Sequence, residues 1–573
     1  MSASVSPSLL APPLPSTLDT GDAAFERNRA DMLEQLAVIE DLLDQAAAGG
    51  GPQAMERLRS RGKLPIRERI AAVLDPDSPF LEISPLAGYG SDYVLGGGMV
   101  VGIGVIAGVE CVVMGNDPSV LGGALTPYAL KKWMRAIELA RDNRIPYVSF
   151  VESAGADLRV ETGGGGGDGR GDGGRRRAQT THFAETGRSF YEMIELSKLG
   201  IPTVCVVFGS STAGGAYQPG LSDYVIVVKE QSKVFLAGPP LVKMATGEET
   251  DDESLGGAEM HSRVSGSSDF LAVDEHDAIR QARRVVARLN WRKKGTPPDP
   301  SSYSEPDLDP EELLDLIPTD LKEPFDPREA ILRIVDGVPT SSTTGGRNAV
   351  PFDEFKPLYG TSLCVGWATL HGREIGILAN ARGVLFSEEA QKAAQFIQLA
   401  NQKDTPLLFL HNTTGYMVGT EYEQGGIIKH GAMMINAVSN SKVPHLTVIM
   451  GASYGAGNYG MNGRAYDPRF LFTWPSAKSA VMGPQQLAGV LEIVARESAE
   501  KKGEPFDAEG FKGVKDMVEG LVEEQSLPYF LSGLVYDDGV IDPRDTRTVL
   551  GICLSVIDNQ PVEGAMNFGV FRM

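Results

Sequence analysis

Apolar and polar positions follow two different spacings that alternate along the chain. Residues 100–106, 111–117 and 147–153 are short apolar runs that contain several Val, which predicts buried strands. Residues 126–142 instead have apolar side chains three and four positions apart, which predicts a helix with one apolar face. That face carries Leu130, Trp133, Met134, Ile137 and Ala140. Because strands and helices of this kind alternate, we predict an α/β fold in which helices pack on a sheet.

The whole pattern occurs twice. Residues 206–217 (VVFGSSTAGGAY) return as residues 448–459 (VIMGASYGAGNY). Residues 66–78 likewise have a counterpart at residues 325–337. The strands and helices follow in the same order in both halves, so the chain is predicted to be a tandem duplication of one α/β unit.

The two copies differ in length at one place. Val206 corresponds to Val448 at an offset of 242 residues, whereas Pro146 corresponds to Pro406 at an offset of 260, so the first copy has 18 more residues. The additional residues include the glycine-rich stretch 163–177. Ordering so many glycines costs much backbone entropy, which favours a flexible surface insertion. An ordered ligand-binding loop is the alternative.

Composition and duplication together predict the domain boundaries. Residues 1–22 are rich in Pro and Ser and are expected to be a disordered tail. Residues 294–325 contain many Pro, Asp and Ser, which predicts an exposed linker. We therefore expect an N-terminal domain over residues 23–293 and a C-terminal domain over residues 326–573.

Charge and composition exclude several classes of function. The formal net charge is −22 over 573 residues and the richest basic cluster is only Arg175 to Arg177, so nucleic acid is not an expected partner. No apolar run reaches the ~18 residues of a membrane span, and the N-terminus lacks the basic start of a signal peptide. We expect no membrane partner and a cytoplasmic location. Neither a disulfide nor a metal site is expected from the spacing of the His residues and of the four cysteines, Cys111, Cys205, Cys364 and Cys553.

The repeated phrase has a possible chemical use. In both copies a strand ends in small residues at the start of a helix, where the first backbone N–H groups lack intrahelical partners and no side chain covers them. Two such N–H groups form an oxyanion hole, and each donor can contribute roughly 3 kcal/mol to transition-state stabilisation. The pairs are Gly214 with Gly215 and Ala456 with Gly457. The alternative is that small residues only permit tight helix–sheet packing, which explains one copy more easily than two.

Residues 451–455 (GASYG) also match the G-x-S-x-G motif of serine hydrolases, with Ser453 as the nucleophile. The motif is short, and the first copy lacks its final Gly. No acid and His partner follows Ser453 at an evident position. Hydrolysis is therefore disfavoured.

Six segments identify a family resemblance. They are STAGGAY, FLAGPPLVKMATGEE, SLGGAEMH, NTTGYMVGTEYEQGGIIKHGA, GASYGAGNYGMNGRAYDPRFLFTWPSAKSAVMG and YDDGVIDPRDTRTVLG. Together they resemble the carboxyltransferase β subunit of biotin-dependent acyl-CoA carboxylases, in particular the methylcrotonyl-CoA and geranyl-CoA branch. The resemblance runs from about residue 25 to the C-terminal FGVFRM. It implies a tandem pair of crotonase-like (ClpP/crotonase) β-β-α superhelix domains.

The resemblance also implies an activity and partners. The activity is transfer of the carboxyl group from carboxybiotin to an acyl-CoA, such as 3-methylcrotonyl-CoA or a related branched or longer acyl-CoA. The implied partner is an α subunit that holds the biotin carboxylase and biotin carrier domains and uses ATP and bicarbonate. A hexamer of β subunits, joined by α subunits in equal number, is the implied assembly, and a second type of β chain in the complex is left open.

The same resemblance assigns roles to particular residues. Gly214 and Gly215 would hold the thioester carbonyl oxygen as it becomes an enolate, while Ala456 and Gly457 would hold the ureido oxygen of biotin. In that family, the site forms between the N-terminal domain of one subunit and the C-terminal domain of a neighbour. The remaining candidates are Gly238, Lys243, Thr246 and Gly247 near CoA, Tyr416, Gly425 and Gly426 near biotin, and Gly155, Ala156 and Tyr459 near the acyl group. Structural turns at the glycines and a packed core position for Tyr459 are the alternatives.

One departure from the family leaves the substrate open. Ala154 stands where the methylcrotonyl branch has Gly, and the chain continues from there into the glycine-rich insertion. Arg175 to Arg177 beside the insertion could attract the phosphates of CoA. Two alternative functions remain, a biotin-dependent decarboxylase that runs the same half-reaction backwards and a non-catalytic β subunit of a mixed carboxylase complex.

Overall fold

The computed structural model describes residues 16, 18, 22–155, 183–298, 303–318, 320, 321, 323, 325–338 and 350–572. The chain divides into two compact units. The N-terminal unit is Leu43–Arg292, and the C-terminal unit contains the described residues before it together with those from Lys293 onward. In the described part of the chain, no helix is both long enough and apolar enough to cross a membrane.

The elements are numbered along the chain. The strands are β1 Phe80–Glu82, β2 Met99–Ile106, β3 Val109–Asn116, β4 Tyr147–Ser153, β5 Thr203–Thr212, β6 Tyr224–Val228, β7 Lys233–Phe235, β8 Phe270–Ala272, β9 Phe352–Glu354, β10 Leu363–Leu370, β11 Arg373–Asn380, β12 Gly383–Leu385, β13 Leu407–Tyr416, β14 His445–Tyr454, β15 Phe470–Thr473 and β16 Lys478–Ala480. The helices are α1 Ala23–Ala47, α2 Pro52–Ser60, α3 Ile66–Val73, α4 Pro127–Asn143, α5 Phe183–Lys198, α6 Tyr217–Gly220, α7 Pro239–Thr246, α8 Asp252–Gly256, α9 Ala258–Met260, α10 Glu275–Arg288, α11 Leu313–Leu316, α12 Pro327–Ile334, α13 Ser387–Gln402, α14 Thr420–Gln424, α15 Ile427–Asn440, α16 Gly457–Gly460, α17 Pro484–Lys502, α18 Ala508–Ser526, α19 Pro528–Gly533 and α20 Thr546–Ile557.

One sheet forms the centre of the N-terminal unit. Its strand order is β1-β2-β3-β4-β5-β6-β8, and β7 pairs with the end of β5. Strands β1, β2 and β3 are antiparallel to one another, whereas the pairs from β3 to β8 are parallel. The three predicted strands correspond to β2, β3 and β4, and the predicted helix is α4. All four predictions are confirmed.

The sheet of the C-terminal unit repeats this arrangement. Its order is β15-β14-β13-β11-β10-β9, with β12 on β13 and β16 on β14. Strands β9, β10 and β11 are antiparallel, and the pairs among β11, β13, β14 and β15 are parallel. In both units the parallel strands are almost entirely buried, because helices cover parallel sheets on both faces.

Ion pairs repeat along with the strands. In the N-terminal unit the guanidinium of Arg67 on α3 binds both carboxylate oxygens of Glu82, at 2.6 and 2.8 Å. In the C-terminal unit Arg328 on α12 binds Glu354 in the same way, at 2.9 and 2.7 Å. The same side chains therefore join the same pair of elements in both copies, which supports the predicted duplication.

The predicted linker differs from the structure at its centre. Residues 313–316 form α11, and Leu313, Leu314, Leu316 and Ile317 are buried. The sequence LLDLI places apolar side chains on one side of a helical turn, which packs against α12. The prediction of an exposed linker is therefore wrong for this segment. The free energy gained by burying four aliphatic side chains outweighs the effect of the helix-breaking residues that flank them.

The N-terminal region of the chain also differs from the expected boundary. Helix α1, which we placed in the N-terminal domain, belongs to the C-terminal unit for most of its length. Its Asn28 side chain donates to the carbonyl oxygen of Asp315 at 3.0 Å, and Arg29 pairs with the Asp315 carboxylate at 3.3 Å. Of the predicted tail, Ser16 donates to Glu329 at 2.9 Å, and most other tail residues lie outside the described residues.

Two long helices distinguish the C-terminal unit from the N-terminal one. Helices α17 and α18 pack against each other and follow β16, whereas the short helices α7, α8 and α9 follow β7 in the N-terminal unit. We call α17 and α18 the helical hairpin. Its large exposed apolar side chains are Val490, Leu491, Ile493, Val494, Val514, Met517 and Leu521. The hairpin thus presents an apolar surface that the described residues of its own unit leave uncovered.

Candidate active site

The first N–H pair lies at the end of β5. Ala213 adopts a positive φ of 55° and begins a short 3-10 turn over Ala213–Ala216. The first N–H groups of a helical turn have no intrahelical partner, and the N–H groups of Gly214 and Gly215 donate no hydrogen bond to other described residues. Ser211 donates to the carbonyl oxygen of Gly215 at 2.9 Å, which fixes that peptide. Gly214 is exposed and Gly215 is buried, so the pair lies at the surface of the unit.

The second N–H pair has the same geometry. Gly455, at the position of Ala213, has a φ of 56°, and the short helix α16 starts directly after Ala456. The N–H groups of Ala456 and Gly457 make no hydrogen bond outside the helix in the part of the chain that the structure describes. Ala456 is exposed and Gly457 is buried, as in the first pair. Both copies of the repeated phrase therefore present two adjacent N–H groups at a strand-to-helix junction.

Charged residues support the first junction. Glu152 at the end of β4 pairs with Lys63 and, at 2.9 Å, with Arg69. Arg69 is buried and also binds both oxygens of Glu275, at 2.8 and 3.0 Å. Lys63 donates to the carbonyl oxygen of Phe208 on β5 at 3.2 Å. This network joins α3, α10 and the neighbouring strands β4 and β5.

Neutral polar residues support the second junction. His411 on β13 contacts Ser453 on β14 with a distance of 3.1 Å between Nδ1 and Oγ. The other ring nitrogen of His411 contacts the carbonyl oxygen of Met461. Asn458 on α16 donates to Ser453 Oγ at 2.8 Å. Burial lowers the pKa of His411 to about 4, so its imidazole is neutral at physiological pH.

The surroundings of Ser453 disfavour its role as a hydrolytic nucleophile. Its side chain is buried and is engaged by His411 and Asn458. A nucleophile at the elbow of a hydrolase has to be exposed at the top of the sheet. His411 itself was missed by the sequence reasoning. Its signal was a single His within the apolar run LLFLH, at the position where the first copy has Val151.

The candidates for CoA binding lie on α7, in the same unit as Gly214 and Gly215. Gly238 precedes the helix and Gly247 ends it with a φ of 77°. Lys243 pairs with Glu249 at 2.6 Å, and Thr246 donates to the carbonyl oxygen of Val242 at 2.8 Å. Helix α7 has no buried residue, and it follows β7, which pairs with the last residues of β5. The helix therefore starts near the first N–H pair and is open to a ligand.

The candidates for the biotin side belong to the C-terminal unit. The hydroxyl of Tyr416 donates to the Met434 sulfur at 3.5 Å. Its ring lies close to Gly431, where an added Cβ would come within 3.2 Å of it. Tyr416 thus packs β13 against α15. Gly425 and Gly426 form the junction between α14 and α15, and Gly426 has a φ of 90° that disfavours other residues.

The candidates near the acyl group lie in different places. Gly155 follows β4 with a φ of 95°, and its N–H contacts Ser153 Oγ at 3.2 Å. Ala156 lies outside the described residues, as do the glycine-rich insertion and Arg175 to Arg177. Ala154 is exposed. Tyr459 is 45% exposed, so the alternative of a packed core tyrosine does not describe this unit.

Comparison with known proteins identifies the family of this chain. A family model described as the carboxyl transferase domain matches residues 57–571. The probable biotin-dependent acyl-coenzyme A carboxylase beta2 subunit of Mycobacterium tuberculosis is 59% identical, over 98% of this chain and 100% of that protein. The biotin-dependent 3-methylcrotonyl-coenzyme A carboxylase beta1 subunit of the same organism is 44% identical, over 97% of this chain and 100% of that protein. This chain therefore belongs to the carboxyl transferase family.

A solved structure of the same fold indicates which class of carboxyl transferase this chain resembles. The β subunit of geranyl-CoA carboxylase from P. aeruginosa superposes with a TM-score of 0.83 and 41% sequence identity, covering 98% of this chain and 100% of that one. Within the family, the chain is thus similar to β subunits of acyl-CoA carboxylases. The resemblance and the fold class predicted from the sequence are both confirmed.

Proposed function

We propose that this chain is the carboxyltransferase subunit of an acyl-CoA carboxylase whose substrate is 3-methylcrotonyl-CoA or a related branched or longer acyl-CoA. The observation that carries the proposal is the pair of equivalent strand-to-helix junctions, each with two adjacent N–H groups that have no partner outside their helix among the described residues. The reaction needs one set of donors for each of two oxygens, and the chain has one set in each copy. The substrate class rests on the relatives that act on methylcrotonyl-CoA and geranyl-CoA.

The first N–H pair is assigned to the acyl-CoA. When a proton leaves the acyl group, negative charge builds up on the thioester oxygen. The N–H groups of Gly214 and Gly215 would donate to that oxygen, and each preorganised donor of this kind is worth roughly 3 kcal/mol. The bond from Ser211 to the Gly215 carbonyl holds the turn in place before substrate binds, so little reorganisation is needed.

The second N–H pair is assigned to biotin carried by a partner subunit. The ureido oxygen of biotin only accepts hydrogen bonds, and the junction offers two adjacent donors, the N–H groups of the exposed Ala456 and the buried Gly457, so the residues fit this group. When bound, carboxylated biotin supplies the carboxyl group for transfer. Tyr459, which is half-exposed two residues after Gly457, is proposed to border the acyl group.

Helix α7 is proposed to contact the CoA moiety. The exposed side chains of Leu241 and Met244 offer apolar contacts, and Lys243 offers a positive charge that Glu249 holds near the helix end. Gly238 and Gly247 allow the chain to enter and leave the helix sharply. Gly155 is proposed to line the acyl pocket, with a backbone conformation that favours glycine.

The assembly is proposed to be a hexamer of this chain bound to α subunits that use ATP and bicarbonate. The exposed apolar side chains of the helical hairpin support this, because contiguous apolar surface of this kind is usually covered by another protein surface. The cytoplasmic location stays a prediction.

Purification of the tagged chain from its native cells tests the proposal. The eluate is assayed for ATP-dependent fixation of labelled bicarbonate over a panel of acyl-CoA substrates. We expect a biotinylated partner in the eluate and fixation with one acyl class, which identifies the substrate. A biotinylated partner without any fixation would contradict the proposal. If a second β chain is present and fixation survives replacement of Gly457 in this chain, the non-catalytic role replaces it.

A further inference from the structure

A chain of hydrogen bonds crosses the second junction. The amide of Asn458 donates to Ser453 Oγ, and His411 contacts both Ser453 and the carbonyl oxygen of Met461. Asn458 lies in the first turn of α16, and Met461 directly follows its last residue. A single buried side chain on β13 is thus connected to both ends of the helix that follows the N–H pair.

The partners of His411 determine its tautomer. The carbonyl oxygen of Met461 can only accept, so Nε2 carries the proton and donates to it. Nδ1 is then an acceptor, and Ser453 donates its hydroxyl proton to it at 3.1 Å. All hydrogen bonds therefore run in one direction, from Asn458 through Ser453 and His411 to Met461. Burial of the ring, which lowers the pKa of His411 to about 4, keeps this neutral tautomer in place.

The first junction is held differently. Val151 occupies the position of His411, and Ser211 donates to the Gly215 carbonyl of its own turn. The register of both strand pairs shifts just before the junction, between Val151 and Ser153 in the first copy and between His411 and Thr413 in the second. The backbone is thus alike in both copies, while the hydrogen bonds that fix the helix differ.

We propose that His411 is a positioning residue for the N–H pair of Ala456 and Gly457. It fixes Ser453 and Met461, and through them it sets the direction in which α16 presents its first N–H groups. The inference rests on the proposed function only in assigning that pair to biotin. It predicts that loss of His411 weakens interactions on the biotin side and leaves those on the acyl-CoA side unchanged.

Three variants separate the contacts of His411. His411→Leu keeps most of the volume and removes both hydrogen bonds. His411→Asn places an amide oxygen close to the position of Nδ1, so Ser453 keeps an acceptor. Leu407→Ala is the matched control, because Leu407 is buried on the same strand and contributes to stability without touching this chain of hydrogen bonds.

The kinetic measurement uses the complex purified from native cells. Transfer of the carboxyl group from the carboxylated acyl-CoA to free biotin is followed while either substrate is varied. We expect His411→Leu to raise the KM for free biotin roughly ten-fold. A rise of that size corresponds to the loss of one hydrogen bond between the misplaced N–H pair and biotin. The KM for the acyl-CoA should stay within a factor of about two, and His411→Asn should recover most of the loss. Leu407→Ala should lower the thermal midpoint without separating the two KM values.

A second readout does not depend on activity. Hydrogen–deuterium exchange of the amides at residues 456–461 should be faster in His411→Leu than in the parent, with His411→Asn between them. The inference is overturned if exchange in this segment is unchanged in His411→Leu, or if both KM values rise together. A parent complex that transfers no carboxyl group contradicts the proposed function alone, since the exchange comparison still tests whether His411 positions the helix.

Discussion

The two buried glycines of the N–H pairs have different surroundings. An added Cβ at Gly457 would come within 2.9 Å of the Gly415 Cα and 3.0 Å of Thr413, so a backbone has to move. At Gly215 the nearest atom would be Ser211 Oγ at 3.6 Å, an ordinary contact. The second junction is therefore packed directly against β13, whereas the first has space for a methyl group.

Alanine at these two positions should have unequal effects on stability. We expect Gly457→Ala to cost roughly 1–3 kcal/mol, because overpacking against backbone cannot be relieved by a rotamer change. Gly215→Ala should cost less than about 1 kcal/mol. Thermal unfolding of the two purified variants measures this. Equal shifts of the two midpoints would contradict the packing described here.

Two buried histidines should make stability depend on pH. Burial lowers the pKa of His411 and of His445 to about 4, below the ordinary value near 6.5. Between these values the unfolded chain binds protons that the folded chain does not, so stability falls as the pH is lowered through this range, by about 3 kcal/mol per histidine. Burial also raises the pKa of Asp537 to about 7, which has the opposite effect in this range.

The variant His411→Leu isolates the contribution of His411 to the pH dependence of stability, because Asp537 is present in both the parent and the variant. His411→Leu should be less stable than the parent at pH 8. The difference should narrow by pH 5, because only the parent loses the stability that depends on a neutral imidazole. Thermal midpoints at several pH values provide the measurement, and a difference that stays constant with pH would show that His411 is not held neutral.

Sequence reasoning reached some of these residues and missed others for a physical reason. The N–H pairs could be found because small residues repeat at a fixed offset in a strand-to-helix context. His411 could not, because its role depends on contacts with Ser453 and Met461, which are far from it in sequence. The same holds for the network of Arg69, whose partner Glu275 is 206 positions away.

Among the secondary-structure elements, one ion pair occurs in both copies, but its side chains are buried to different extents. Asp75 accepts from the N–H groups of the turn between β2 and β3, and Asp336 does the same between β10 and β11. Each carboxylate is paired with an arginine of a later helix at 2.7 Å, Arg283 on α10 and Arg547 on α20. The Arg547 pair is 7% and 1% exposed, whereas the Arg283 pair is 32% and 23% exposed.

Removal of the two arginines should therefore have different costs. Arg547→Leu leaves a buried carboxylate without its cation and also removes bonds to two backbone carbonyls, which should cost about 3–5 kcal/mol. Arg283→Leu, the matched change in the other copy, should cost about 1 kcal/mol because solvent screens that pair. Denaturant or thermal unfolding measures both. A larger loss for Arg283→Leu would contradict the burial assigned to the two sites.

The elements themselves were largely predictable. Apolar runs and helical spacing identified β2, β3, β4 and α4, since the core imposes its periodicity on the sequence. The buried helix α11 was missed, because Pro and Asp around it suggested exposure and the five-residue segment LLDLI, which itself contains Asp315, is too short to show a period. The helical hairpin was also not predicted, as its apolar side chains face out of the unit and weaken the contrast between its faces.

For the whole molecule, the exposed apolar side chains of the helical hairpin predict that copies of the chain assemble with one another. Ile493 on α17 and Met517 on α18 are 59% and 65% exposed. We expect the double variant Ile493→Lys and Met517→Lys to dissociate the proposed hexamer, because two charges would be placed in an apolar contact. Asp516→Lys, exposed on the side of α18 that points away from Val514 and Leu521, adds the same kind of charge outside the apolar surface and should leave the assembly intact.

Light scattering coupled to size exclusion gives the molecular mass of each variant, and circular dichroism shows whether its helices persist. Retention of the parent mass by the double variant, with its helices intact, would exclude the hairpin as an assembly surface. Dissociation in Asp516→Lys as well would show that added charge alone causes the effect.

This chain is proposed to transfer carboxyl groups with one N–H pair in each copy. The most direct test is ATP-dependent fixation of labelled bicarbonate into acyl-CoA by the complex purified through this chain, with the parent sequence and with Gly457→Ala. We predict fixation by the parent with one class of acyl-CoA and a loss of roughly ten-fold or more in Gly457→Ala, because the added Cβ forces the backbone that holds the N–H pair to shift. Absence of fixation by a parent complex that contains a biotinylated partner, or full activity of Gly457→Ala, would overturn the proposed role of the N–H pairs.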